Sequence, residues 1–370
     1  MEKGVGLLIF RMKRFWFGLL APLSAGLTVL AHRHPHVTER WFSQGLYQLL
    51  TETYGRVFGY LPFSVMQFLI ILLPAAAIIY VITEIRYAIA AKGPGRKKHI
   101  SRLAANAFCT VGIVSFMFTM LCGLNYARLE FAELIGLEVR PSPVAELVSL
   151  GEELARQVSE LSYSVARDEQ KRMIISAENN FALAQNARAA FMLAAEEYPI
   201  FGGFVPLPKP ILYSRFMSRL NIIGIYTPFT MEAHVNVHVP DYHIPAFMIH
   251  ELAHFRGIMR EDEANFIAWL ISIRSGDIDF MYSGAMLAFV HTMNQLHRVS
   301  REDWQRIWGD VSEGVRIDIA ANREYWRQFE GPIAEISTAA NDAYLRANRQ
   351  EDGVASYGRM VDLLLAYFRE

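Results

Sequence analysis

Hydrophobic and polar positions divide the chain into two textures. In the first third, apolar residues come in long runs without a charge: Phe15 to Ala31, Phe63 to Thr83 and Leu103 to Tyr126. A bilayer core of about 30 Å needs about 20 such residues in a helix, so each run is read as a transmembrane helix (about 15–31, 63–83 and 103–126). Pro22, Gly26 and Pro74 are tolerated in such spans, with Pro74 expected to kink the second. The basic start and apolar core of the first run also fit a signal peptide, but the later runs favour a retained helix. Between the first two runs, His32 to Pro62 is mixed polar and aromatic, with a helical pattern around Trp41 to Tyr54.

The second texture is that of a folded domain. Residues 144–197 are dominated by Ala, Leu, Glu and Arg and predict helices with a break near Ser176. Pro199, Gly202, Gly203, Pro206, Pro208 and Pro210 mark an irregular stretch. Ile211 to Ser214 and Asn221 to Tyr226 look like strands. Ala233 to Val239 alternates with period two, a strand signal. A helix is expected to start near Pro245, a residue suited to a first turn, and to end at Gly257. A second follows at Glu261, Asp262 and Glu263, whose charges suit a helix N-terminus. From Phe280 onward the pattern is helical, with breaks at Gly309, Gly331-Pro332 and Gly353. The expected fold class is α+β, mostly α: a membrane domain over 1–126, then a domain with a small sheet over 127–370.

Composition strengthens the membrane reading. Hydrophobic residues make up 52% of the 370, and mean hydropathy is positive at +0.17, above the usual balance of soluble domains. The net charge of -1 excludes a dominant role in nucleic-acid binding. The two cysteines, Cys109 and Cys122, imply neither a disulfide framework nor a thiolate metal site. Basic residues set the orientation. Lys3, Arg11, Lys13 and Arg14, and the loop with Arg86, Lys92, Arg96, Lys97, Lys98 and Arg102, belong in the cytoplasm. The domain after the third span is then extracytoplasmic.

The chemistry concentrates in His250-Glu251-Leu252-Ala253-His254, an HExxH pattern. On a helix, residues four apart share a face, so both histidines can bind one ion. Glu251 falls beside them, placed to activate a zinc-bound water. A third ligand is required, and Glu261, Asp262 and Glu263 compete for that role. Glu263 is favoured, because Phe266, Ile267 and Leu270 follow it at three, four and seven residues and place it on the apolar face. Two histidines and a carboxylate on so apolar a helix need partners. Tyr226, His234, Tyr242, His243 and Tyr282 are candidate donors to a developing oxyanion, and Asn265 a candidate support for a ligand. The strand Ala233–Val239 offers an edge for an extended peptide. His291 and His297, six apart, do not share a face and suggest no second metal site.

These residues also carry a resemblance. The HExxH run with Glu261-Asp262-Glu263-Ala264-Asn265 resembles the gluzincin metallopeptidases, and is similar to the short-spaced ImmA/IrrE-type peptidases, where the Glu of a Glu-Ala-Asn run is the third zinc ligand. The whole chain resembles a bacterial membrane family known as domain of unknown function 3810, through Gly224 to Thr230 with Glu232 and Asn236, and through Ser356 to Val361. The resemblance implies a zincin-like domain, a zinc ion (Zn2+) held by His250, His254 and Glu263, and Glu251 as base. The expected function is a membrane-anchored zinc metallopeptidase that cleaves an extracytoplasmic peptide or protein. The alternative is a non-catalytic membrane sensor or scaffold whose metal site is structural or vestigial.

Overall fold

The structure is a computed structural model that describes residues 13–90 and 94–369. Lys3, Arg11, Lys92 and Gly93 lie outside the described residues. The chain is mostly helical with one small sheet, and divides into two units. One comprises Met1–Tyr47, Ser64–Arg128 and Pro228–Thr230; the other comprises Gln48–Phe63, Leu129–Thr227 and Met231–Glu370.

The first unit holds three helices long and apolar enough to cross a membrane: α1 (Lys13–Arg33), α2 (Val65–Ala90) and α3 (Pro94–Leu121, apolar from Lys98). Ile70, Ile71, Leu72, Leu73, Ile78 and Ile79 of α2 are all exposed. A water-facing surface does not carry so wide an apolar strip; a lipid-facing one does. Helix α2 continues through Pro74. Arg96, Lys98 and Arg102 are helical rather than in a loop, because Pro94 already opens α3, as a residue with preset φ can. Gly112 lets α1 and α3 close up, since a Cβ there would stand 2.2 Å from the Phe17 carbonyl oxygen, the small-residue contact typical of membrane helices. Several charged groups among the described residues of this unit are paired. Glu84 meets Arg102 at 3.0 Å and His99 at 3.3 Å. Buried Glu39 takes two hydrogen bonds from Arg128, at 2.9 and 2.6 Å.

The second unit includes residues 48–63, a segment that the sequence division at 126 assigned to the membrane part. Its own contacts explain the difference. Lys209 Nζ donates to the carbonyls of Phe58 and Phe63, both at 2.9 Å, and to Glu232 at 2.7 Å. The Phe204 amide donates to the Glu52 carboxylate, and Arg256 reaches Thr51 Oγ1 at 3.4 Å. Gly55 lies against the Phe255 ring, 3.0 Å from where its Cβ would be.

The second unit continues with helices α4 (Val144–Ser162) and α5 (Asn180–Glu197). The expected break at Ser176 falls in the loop between them, where Asp279 accepts from the Ser176 amide at 2.6 Å. A three-stranded sheet follows in the order β1-β3-β2, with β1 (Lys209–Pro210), β2 (Gly224–Thr227) and β3 (Glu232–Val235). β1 runs parallel to β3, and β2 antiparallel with Tyr226 opposite Ala233.

Two sequence expectations change here. Ile211 to Ser214 is not a strand beyond Ile211, whose amide still bonds Val235 O at 3.0 Å. The chain then turns, with Ser214 Oγ donating to Ile211 O at 2.5 Å, and enters the helix Ser214–Arg219. β3 occupies the middle of the sheet, so it offers no edge for a peptide; both of its faces are buried. Alternation identified the strand but not its position.

Against the sheet lie α6 (Ile244–Phe255) and α7 (Glu261–Arg274). Nearly every side chain of both is buried. They are packed by α8 (Ile278–Val299), and the chain closes with α9 (Pro332–Ala347), a 3₁₀ turn (Gly353–Arg359) and α10 (Met360–Tyr367).

Candidate metal centre

Helix α6 begins with Pro245 in its first turn and carries the HExxH run in its last two. Its end is a Schellman cap: Gly257 takes φ 84°, Ile258 N–H bonds Ala253 O at 3.1 Å and Gly257 N–H bonds His254 O at 2.9 Å, as that motif requires. The cap also serves the site. It brings the Ile258 carbonyl to 2.7 Å from His254 Nδ1. A carbonyl can only accept, so Nδ1 carries the proton and Nε2 turns its lone pair inward, the arrangement that orients metal-binding histidines.

The third group comes from the first residue of α7. His250 Nε2 and His254 Nε2 lie 3.2 and 3.5 Å from the same oxygen, Glu261 Oε2. One ligand atom from each residue falls within 4.8 Å of the others. Ligand atoms about 2.0–2.1 Å from a tetrahedral ion stand about 3.3 Å apart. The trio therefore has the spacing and chemistry of a zinc site's protein ligands. All three are buried, at 3%, 8% and 8% exposure, where charge needs compensation.

Glu263, expected as the third ligand, points elsewhere. Its Oε1 accepts from the Phe131 amide at 2.8 Å and from Arg260 Nη1 at 2.9 Å. Two residues along a helix is about 200° of rotation, so Glu261 and Glu263 face nearly opposite ways. Both are buried because α7 is covered on all sides, so the apolar face that singled out Glu263 did not mark the site.

Electrostatics within the trio follow from burial and contact. Burial opposes a charge on His254, but Glu261 overcomes it and lifts the imidazole to about 9. Burial likewise works against charge on Glu261, yet the two histidines hold it well below the usual carboxylate range. His250 is pushed down by burial, against the pull of Glu261. Glu251, 2% exposed, is pushed up to about 8 by burial, with His254 partly offsetting. Its Oε2 is buried without a hydrogen-bond partner. Gly224 of β2 makes room for this carboxylate: a Cβ there would sit 2.2 Å from Glu251 Oε1.

The proposed supports and donors separate by partner. Asn265 donates to the Tyr357 carbonyl at 3.3 Å, while its Oδ1 and His250 Nδ1 are both buried without a hydrogen-bond partner. The Tyr226 ring lies 6.5 Å from that of His254. Tyr282 is committed to Asp318 at 2.6 Å, His243 to Asn322 at 2.9 Å, and His234 lies 4.0 Å from Glu232. Tyr242 is buried in the core. The sequence alone assigned no chemistry to Tyr357. Its carbonyl accepts from Asn265 Nδ2, Asn341 Nδ2 lies 3.5 Å from its hydroxyl, and burial pushes its phenol up. The signal for it was present in the Ser356 to Val361 run, which had a family likeness but no assigned role.

The chain belongs to the family described as "Protein of unknown function (DUF3810)", whose family model matches residues 42–365. The match takes in the second and third apolar helices, the HExxH run and the C-terminal turn. No curated protein and no solved structure matches the chain.

Proposed function

We propose that this chain is a membrane-anchored, zinc-dependent peptidase with a zincin-like domain that faces out of the cytoplasm and cleaves peptide or protein substrates there. The observation that carries the reading is the convergence of His250 Nε2 and His254 Nε2 on one Glu261 oxygen beside a buried, unpartnered Glu251 oxygen. A structural or vestigial metal site needs the first three residues but not a fourth, uncommitted carboxylate.

Zinc, when bound, supplies Lewis acidity that polarises a carbonyl and acidifies water. Glu251 takes a proton from the attacking water and passes it to the leaving amine nitrogen. A cation nearby also reverses the effect of burial on Glu251, so the carboxylate becomes a usable base near neutral pH. His254 is held in one tautomer by the Ile258 carbonyl. The outer strand β2 suits an extended peptide better than β3 does, and pairing beside Gly224 brings a peptide bond to Glu251. The basic residues near the ends of α2 and α3 support the outward orientation of the second unit.

The test uses the full chain in detergent with a quenched-fluorescent peptide library. Wild-type protein is expected to cleave, and Glu251→Gln to lose about 10²–10⁴-fold in rate with its zinc kept. A Glu251→Gln protein as active as wild type would end the proposal.

A further inference from the structure

The stretch between β1 and β2 takes no part in the metal centre, and its composition is unusual for a domain surface. From Tyr198 to Met231 the chain has no Asp or Glu, and Lys209, Arg215 and Arg219 are its only charged residues. Leu212, Tyr213 and Phe216 stand exposed, Leu212 by 83%. No other run of five residues among the described residues of the second unit exposes three large apolar side chains.

The sheet holds these side chains outward on a built turn. The Ile211 amide bonds Val235 O at 3.0 Å. Ser214 Oγ accepts from the Val237 amide at 3.1 Å, and Ser218 Oγ accepts from Asn236 Nδ2 at 3.0 Å. The short helix Ser214–Arg219 buries Ser214, Met217 and Ser218. At about 100° per residue, Arg215, Phe216 and Arg219 share its opposite, exposed face. Asn221, at φ 56°, closes the helix, with the Ile222 amide on Met217 O at 3.0 Å, as a left-handed cap does. The result is an apolar tip flanked by two guanidinium groups.

The base of the turn is tied to the start of an apolar helix. Lys209 Nζ, two residues before Ile211, donates to the Phe63 carbonyl at 2.9 Å. Phe63 stands two residues before Val65, where α2 begins, and two residues of chain reach about 7 Å. Tyr60 and Phe63 are themselves exposed, so exposed aromatic residues lie on both sides of the Lys209 bond. Tyrosines are enriched at the headgroup level of a bilayer. An exposed apolar patch bordered by arginines and free of carboxylates complements an anionic lipid surface.

We propose that residues 211–220 form a lipid-docking turn: Leu212, Tyr213 and Phe216 enter the boundary between headgroups and acyl chains, and Arg215 and Arg219 bind the phosphates of anionic lipids. The inference is independent of the zinc reading. Its consequence is positional. β2 begins five residues after Arg219, so the strand edge beside Glu251 is held near the headgroups.

The test uses the unmodified full chain in nanodiscs of mixed phosphatidylcholine and phosphatidylglycerol, with some phosphatidylcholine carrying a diazirine high on its acyl chain. Light links this lipid to whatever it touches, and mass spectrometry locates the adducts. Adducts are expected on peptides covering 211–220 as well as on α1, α2 and α3. The yield at the turn, relative to that on α2, is expected to fall about fivefold or more in discs of phosphatidylcholine alone, and likewise in the doubly substituted Arg215→Glu, Arg219→Glu chain. Adducts confined to the three apolar helices overturn the proposal, whether the turn then meets water or a second copy of the chain. A yield indifferent to lipid charge, or to both substitutions in a folded chain, also overturns it, because the contact is then apolar and incidental. The wild-type arms need no substitution, so they decide the matter even if the variant does not fold.

Discussion

The first turn of α7 presents two buried carboxylates with different tasks. Glu261 faces two histidine nitrogens. Glu263 faces a backbone amide and the Arg260 guanidinium. One is bound by groups that a cation can also use; the other already has permanent donors. Burial alone therefore does not identify a ligand. What identifies it is whether its partners are themselves lone-pair donors that would otherwise compete for a proton.

Substitutions at these two carboxylates should diverge most. Glu261→Gln should weaken zinc binding by more than the roughly 10–100-fold typical of a supporting residue, measured by competition with a chromogenic chelator. Glu263→Ala should leave zinc binding intact and instead destabilise the second unit by about 3–5 kcal/mol, since Arg260 is left without its buried partner; denaturant unfolding reads this. If the variants exchanged these outcomes, the assignment of the two faces would be reversed.

Lys209→Met offers a third contrast, away from the site. It should destabilise by a similar amount, about 3–5 kcal/mol, because Glu232 would remain buried without its cation. It should also loosen residues 48–63, seen as faster hydrogen exchange in Thr51–Phe58. Gly224→Ala moves in the other direction, with zinc kept and stability little changed. Peptide cleavage should fall about tenfold or more, as the new methyl displaces Glu251 from its place.

The subtlest contrast is a proton count. In the ion-free chain His254 is raised to about 9, above its ordinary value, so it is charged between about pH 6.5 and 9. Zinc needs the bare nitrogen, so binding expels that proton, and Glu251, raised to about 8, is poised to lose a second. Glu261 is already ionised and releases none. Calorimetry at pH 7.5 in buffers of different ionisation enthalpy should count about one to two protons per zinc. Affinity should then rise with pH up to about 9 and fall below it. No proton release would mean that zinc binds elsewhere.

Much of this was legible in the sequence. The three apolar helices were, because a charge-free run of spanning length suits a lipid surroundings far better than a water-facing fold. The HExxH helix and its Gly257 cap were, because spacing and cap chemistry are local. The carboxylate that meets the two histidines was not. Helical periodicity ranks faces by hydrophobicity, and α7 is buried all round, so it favoured Glu263, whereas Glu261 is the one beside His250 and His254. The edge strand was missed for a related reason: β3 alternates as an edge strand does, but pairing order is a long-range property. The assignment of residues 48–63 to the second unit depends on Lys209, about 150 residues away, and has no local trace. Tyr357 lay in a stretch whose family likeness was visible, but its bond with Asn265 needs the C-terminal turn folded back against α7.

One zinc ion held jointly by His250, His254 and Glu261 is the premise on which the site's chemistry depends. Elemental analysis of the purified full chain as wild type, Glu261→Gln and Glu263→Gln tests it without reference to any substrate. One zinc per chain in the wild type and in Glu263→Gln, with little in Glu261→Gln, is the predicted result. A folded wild-type chain that neither contains zinc nor takes it up, or a Glu261→Gln chain that holds it fully, would contradict the premise.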